Sequence, residues 1–268
     1  MDCNIPSRRA STLDAFAIIK DMTRSVFLSA HLDDAVYSCG GLIARQTSAG
    51  EKVLILTVCA GDAPGPLSAF ARQLHARWNL PRDPVLHRRE EDLAACTLLG
   101  AEALHGTIPD AVYRLDPSGA PRYPDEAAIF AELHPHERRL AGGIAAWLDV
   151  HLQNHDVVYA PLGLGGHVDH VLVRKAAERL RKPIYYPDYP YAGEGVSLPS
   201  DIPMPQGLEE VVRLTPLEIH AWVQAALCYT SQLSTFWSSP AAMEAAFRSY
   251  HESAGGLRLF VPDTTTSE

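Results

Sequence analysis

Apolar runs and amphipathic stretches alternate along the first two thirds of the chain. The runs SVFLSA (25–30), KVLILTVCA (52–60), ALHGTI (103–108), DVVYAPL (156–162) and KPIYYP (182–187) are short and rich in β-branched and aromatic residues. That pattern predicts buried strands. Residues 35–48 and 86–99 carry apolar positions at helical spacing and stop before Gly50 and at Gly100, and 138–153 and 168–181 complete the set of helices. Repetition of strand, helix, strand predicts an α/β fold: a Rossmann-like, doubly wound, mostly parallel sheet with helices on both faces. Ligands of such sheets bind at the carboxyl ends of the strands.

Two segments break the alternation. Residues 109–137 and 188–206 are rich in Pro, Gly and Tyr, and loops of this length commonly form walls around a site. We expect both to be pocket rims. No composition shift marks a boundary, so residues 1–268 read as a single domain. Within it we expect an N-terminal segment (1–20), a C-terminal helical extension from about 215 to 260, and a flexible tail (261–268).

Composition narrows the class. A hydrophobic content of 47% supplies a globular core, and a net charge of −9 with scattered basic residues excludes a nucleic-acid partner. The five cysteines, Cys3, Cys39, Cys59, Cys96 and Cys228, form no C-x-x-C pair, so neither a disulfide framework nor a thiolate metal site is expected. The N-terminal apolar stretch is too short for a signal peptide or a membrane span, which makes the cytoplasm the expected compartment.

Costly polar groups stand where two of the strands end. SAHLDDAVYSCGG (29–41) places His31, Asp33 and Asp34 behind the first run, and LGLGGHVDHVLV (162–173) places His167, Asp169 and His170 behind the fourth. Taken singly, Asp33 or Asp34 reads as a helix N-cap and the histidines as exposed residues at a helix start. Taken together, the groups sit at one edge of one sheet, and His167 and His170 share a helical face. Neutral imidazole and carboxylate are the donors of a catalytic zinc site, which keeps three protein ligands and one open position.

AHLDD (30–34) and HVDH (167–170) resemble the motifs of the LmbE-like or PIG-L-like de-N-acetylases. Ser38–Gly41, TVCAGD (57–62), Arg88 with Glu91, and YTSQL (229–233) extend the likeness through most of the chain. The resemblance implies a zinc-dependent hydrolase that removes acetyl from an N-acetylglucosamine-type substrate. His31, Asp34 and His170 would bind one Zn2+ per chain, a place that Fe2+ or another divalent ion also fits. Asp33 would be the general base, and a charged His167 would stabilise the reacting oxygen or protonate the leaving nitrogen. The partner would be a small acetylated amino sugar or its conjugate, and a homo-oligomer is left open. Leu32 replaces the commoner proline of the motif, and GGLRLF (255–260) lacks the glutamate of many relatives.

Weaker candidates carry two readings each. Asp169 either orients His167 or faces solvent. Arg88 either holds substrate or pairs with Glu91 on an exposed helix face. Asp62 is a sugar contact or a turn former. Tyr113, Arg114 and Tyr191 line the rim or cover the core. His134 and His136 form the one rival metal spacing and read as loop residues. The competing functional classes are a nucleotide-binding oxidoreductase, suggested by GLGGH (163–167), and a non-catalytic sugar-binding module. The glycine motif is short of its third glycine, since Val168 stands there.

Overall fold

Five strands, β1 (Arg24–Ser29), β2 (Lys52–Thr57), β3 (Glu102–His105), β4 (Val157–Pro161) and β5 (Ile184–Tyr186), pair in parallel in the order β3-β2-β1-β4-β5. These are the five apolar runs. The computed structural model describes residues 23–80, 82–137, 139–180 and 182–262. The N-terminal segment 1–20 with Cys3, and residues 263–268 of the tail, lie outside them.

Side chains alternate across the sheet, so each face needs its own cover. Phe27, Val53 and Ile55 pack with α1 (Asp34–Ser48), α3 (Pro84–Leu99), α6 (Pro216–Ala226) and α8 (Pro240–Ala254). Val26, Leu28, Leu54 and Leu56 pack on the other face with α4 (Leu140–His151) and α5 (Val168–Ala177). The fold is therefore doubly wound, as expected. Strand order reverses between β1 and β4, which opens a crevice at their carboxyl ends. Both motif segments emerge there.

Two strands were not anticipated. β6 (Gly207–Val212) and β7 (Leu257–Pro262) extend the sheet beyond β5 in the order β5-β7-β6, with β7 antiparallel to both neighbours. The expected helical extension is thus corrected. α6, α7 (Thr230–Phe236) and α8 fill residues 216–254, but the chain then re-enters the sheet. Leu257 and Leu259 are buried while Arg258 points outward to Glu209, a period-2 pattern that only a strand satisfies. β6 is an edge strand with almost every residue exposed, so its sequence carries no apolar alternation.

The C-terminal helices brace the helix that follows β1. Trp222 of α6 is fully buried, and its Nε1 donates to the carbonyl oxygens of Val36 (2.8 Å) and Tyr37 (3.2 Å). A Cβ at Gly40 would stand 2.5 Å from Trp222 Cδ1, and one at Gly41 2.2 Å from Leu214 Cδ1. The glycine pair of α1 is what lets α6 approach. α3 is braced in the same way. Glu91 accepts from Thr230 Oγ1 (2.6 Å), Ser231 N (2.8 Å) and Ser231 Oγ (2.5 Å), while Asp92 accepts from Tyr229 OH (2.6 Å).

Candidate active site

β1 ends in a turn that its own side chains build. Ser29 Oγ donates to the His31 carbonyl (2.6 Å) and accepts from Ala35 N (3.0 Å), and the His31 N–H donates to Asp34 Oδ2 (2.7 Å). Asp33 occupies the N-cap position of α1, yet its carboxylate makes no capping hydrogen bond. It is buried and lines a cavity instead.

The turn after β4 needs glycine. Gly163, Gly165 and Gly166 adopt φ of 85°, 78° and 74°, the left-handed region that disfavours other residues. Asp188, just after β5, holds this turn by accepting from the N–H groups of Gly163 (2.7 Å) and Leu164 (2.8 Å). Its other oxygen stands 2.6 Å from His170 Nδ1.

The two segments meet. Asp34 Oδ2 lies 3.2 Å from His31 Nδ1 and 3.3 Å from His170 Nε2. The rings of His31, His167 and His170 have centroids 4.7 to 5.3 Å apart, and one nitrogen of each lies within 4.8 Å of the others. Asp110, after β3, adds a carboxylate 3.6 Å from His31 Nε2.

Hydrogen bonds divide the three imidazoles into two kinds. A carboxylate only accepts, so Asp169 Oδ2 at 3.0 Å fixes the outer proton of His31 on Nε2, and Asp188 fixes that of His170 on Nδ1. In their neutral forms both rings then turn a lone pair toward Asp34. His167 is the reverse: its Nδ1 accepts the backbone N–H of Asp169 at 3.2 Å, which leaves the ring proton on Nε2. His31 and His170 offer ligand nitrogens, and His167 offers a donor. Two carboxylate-backed imidazoles converging on one carboxylate fit a divalent cation.

Electrostatics follow the same division. Burial alone would lower His31 and His170, but the surrounding carboxylates outweigh it, Asp110 and Asp34 raising His31, and Asp34 and Asp188 raising His170 to about 10. Burial opposes ionisation of Asp34 too, yet His170 and His31 hold it well below the ordinary carboxylate range. Asp33 moves the other way. Burial, then the Asp34 charge, push its carboxyl up to about 8 against the pull of Arg88. His167 is pushed down by burial and by its two histidine neighbours. Burial and the two neighbouring rings favour the neutral form of His167, where the resemblance implied a charged one.

The cavity measures about 370 Å³. Phe70, Leu74, Trp78, Phe130, Tyr191 and Phe236 give it flat apolar walls, and Arg88 and Asp110 line it beside Asp33. The Arg88 guanidinium lies 4.9 Å from the Trp78 ring centroid, 3.7 Å from Asp33 and 3.8 Å from Asp110. A larger cavity of about 930 Å³ opens between residues 131–137, α5 and residues 199–201, and none of His31, Asp33, Asp34, His167, Asp169 and His170 lines it.

Residues 26–180 match the family described as PIG-L, GlcNAc-PI de-N-acetylase. The chain belongs to this family. It is 34% identical over 177 residues to the 2'-N-acetylparomamine deacetylase of Streptomyces fradiae, a match that spans 64% of this chain but 58% of that protein. It is 28% identical over 196 residues to the 2'-N-acetylparomamine deacetylase of Niallia circulans, covering 64% of this chain and 69% of that one. Among solved structures, the zinc-inhibited form of teicoplanin deacetylase Orf2 superposes with a TM-score of 0.77 at 27% identity, covering 91% of this chain and 100% of that chain.

Within the family frame, the weaker candidates separate. Tyr191 stands in the cavity wall with its ring centroid 5.8 Å from that of His170, and Arg88 faces the cavity. Arg88 does not form the exposed pair with Glu91, because Glu91 is spent on α7. Asp62 is exposed and pairs with Arg89 Nη2 (2.6 Å), outside the cavity. Tyr113 is buried with its hydroxyl on His75 Nε2 (2.8 Å), where it supports α2 (Ala69–Arg77). Arg114 is buried beneath the site and grips Asp169 Oδ1 at 2.5 Å. Burial would raise Asp169, yet Arg114 and His31 hold it well below the ordinary range. The Asp169 carboxylate thus backs His31, whereas the expectation was His167. His134 and His136 stack on each other in the loop, ring centroids 5.2 Å apart. Asp110 and Asp188 were missed. Each directly follows a proline at the carboxyl end of a strand unit, in PDAVY and PDYPY, and that shared position was the available signal.

Proposed function

We propose that this protein is a metal-dependent N-deacetylase that hydrolyses the acetamide of an N-acetylated amino sugar or its conjugate. His31, Asp34 and His170 hold one divalent cation, and Zn2+ and Fe2+ both suit this donor set. The observation that carries this reading is the opposed wiring of the histidines: carboxylates behind His31 and His170, a backbone N–H behind His167. When bound, the cation polarises the amide carbonyl and acidifies a water. Among the described residues, no hydrogen bond ties up the Asp33 carboxylate and keeps it from acting as base. It takes a proton from the attacking water as the C–O bond forms and delivers it to nitrogen as the C–N bond breaks. His167 donates its Nε2–H to the carbonyl oxygen as that atom gains charge. Acetate and a free amine result. Arg88 pulls Asp33 toward the ionised form a base needs, and the positive charge of a bound cation would add to that pull against burial and Asp34.

The relatives named for 2'-N-acetylparomamine, and the flat walls at Trp78, Tyr191 and Phe236, support an amino-sugar conjugate as substrate. Glu126 and Glu194 on the same cavity suit the ammonium groups such a conjugate carries. The oxidoreductase reading is disfavoured. A pyrophosphate needs open backbone N–H groups at the glycine turn, and those of Gly163 and Leu164 are taken by Asp188.

Metal analysis of the purified protein, followed by an assay for acetate and primary amine on a panel of N-acetylated amino sugars including 2'-N-acetylparomamine, tests the proposal. Protein that binds no divalent ion and releases no acetate would overturn it.

A further inference from the structure

Glu137 is fully buried at the end of the loop expected to be a rim, far from any role the chemistry requires of it. Its Oε1 lies 2.7 Å from Arg114 Nε and 2.9 Å from Arg122 Nη1, and its Oε2 accepts from Tyr123 OH at 2.9 Å. Glu137 does not line the 370 Å³ cavity. Burying a carboxylate with its guanidinium partners gives little net stability, since apolar residues of similar volume do as well. Another use for the group has to be sought along its contacts.

Those contacts lead to His31. Arg114 donates from Nη1 to the Pro109 carbonyl (3.1 Å) and from Nη2 to Asp169 Oδ1 (2.5 Å). Asp169 Oδ2 accepts the Ala111 N–H (2.9 Å) and faces His31 Nε2 (3.0 Å). The two oxygens of Asp169 have separate duties, one for the guanidinium and one for the imidazole. A guanidinium left to itself grips both oxygens of a carboxylate with its fork. Glu137 lies against the Nε side of Arg114 as an ion partner without a hydrogen bond, and the Pro109 carbonyl takes Nη1, so Asp169 receives a single N–H from it.

We propose that Glu137 is a positioning residue for His31, acting through Arg114 and Asp169 to keep Asp169 Oδ2 for the imidazole. The inference rests on the reading of His31 as a metal ligand. Removing the Glu137 charge frees Arg114 to take Asp169 in both oxygens, and His31 loses the partner that aims its Nδ1.

The test is a double-mutant cycle on Zn2+ affinity, measured by competition with a chromophoric chelator on metal-stripped protein well below its unfolding temperature. Groups behind a ligating histidine typically contribute about 10- to 100-fold in affinity, so Glu137→Gln should weaken binding about tenfold. In an Asp169→Asn background the same substitution should change affinity by less than about twofold. Arg114→Lys keeps the charge but loses the fork, and forms a second cycle should a carboxamide variant fail to fold. It should weaken binding as Glu137→Gln does, and the two together should do no more than either. Equal effects of Glu137→Gln in both backgrounds, or none in the wild type, would overturn the positioning role. A wild type that binds no Zn2+ would instead overturn the reading of His31 as a ligand, and this inference with it.

Discussion

Asp188 sits 2.6 Å from His170 Nδ1 with one oxygen, and with the other it fastens the glycine turn that carries His167. One carboxylate therefore sets both His170, the proposed ligand, and the turn that carries His167, the proposed donor. Asp188→Asn should weaken metal binding by about 10- to 100-fold, measured by chelator competition. An unchanged affinity would mean that His170 is aimed by packing alone.

The adjacent acids should separate cleanly. Asp34→Ala should lose the metal, because it removes the oxygen on which His31 and His170 converge. Asp33→Asn should keep the metal and lose about 10²- to 10⁴-fold in kcat, as removal of a general base does. Metal content and steady-state rates of the two variants decide this; the opposite pattern would exchange their roles.

His167 should behave as a neutral donor. His167→Ala should retain metal and lose about 10²- to 10³-fold in kcat, while His167→Gln, which still presents an N–H, should lose less. Equal losses in the two variants would argue for an obligatory proton transfer by the imidazole.

Gly40→Ala should destabilise the fold. The new methyl would meet the Trp222 ring at 2.5 Å, and that ring is locked by its hydrogen bonds to Val36 and Tyr37. Overpacking of this kind costs about 1–3 kcal/mol, visible as a lower Tm. An unchanged Tm would show that α6 can yield.

Arg45 ties α1 to α6 through Glu218, with Nε to Oε1 at 2.8 Å and Nη2 to Oε2 at 2.7 Å. Chiefly through that hydrogen bond, Glu218 is held down at about 2 from an ordinary 4.5. A depressed carboxylate stabilises the fold fully above its unfolded value and loses that contribution as pH falls through the folded one. The stability curve should therefore lose this contribution between pH 4.5 and about 2, and Arg45→Met should flatten that part of the acid limb. An identical acid slope in the variant would count against the pair.

The strands that carry the site were legible because a strand covered on both faces must be apolar throughout, as VFLS and VLILT are. The six polar residues of the two motifs were legible because polar groups at such strand ends contradict the run before them. What escaped was whatever depends on pairing across the fold. β6 reads as GLEEVV and shows no buried face. The loop 109–137 looked like a rim, but Arg114, Glu137 and Asp169 turn its inner side into a support, and no spacing in sequence links residues of that loop to the helix that carries Asp169. Asp62 shows the converse, since its place after β2 matched the pattern and Arg89 drew it outward.

Strand order has a consequence for how the chain matures. β7 lies between β5 and β6 in the sheet although it follows both in sequence by dozens of residues. Until β7 leaves the ribosome, β5 presents an open hydrogen-bonding edge, and Trp222 has no α8 to close over it. A nascent chain that already holds every motif residue is still an unfinished sheet with an adhesive border. Completion of the sheet thus waits for β7, and shielding by chaperones matters most over the interval between synthesis of β5 and synthesis of β7.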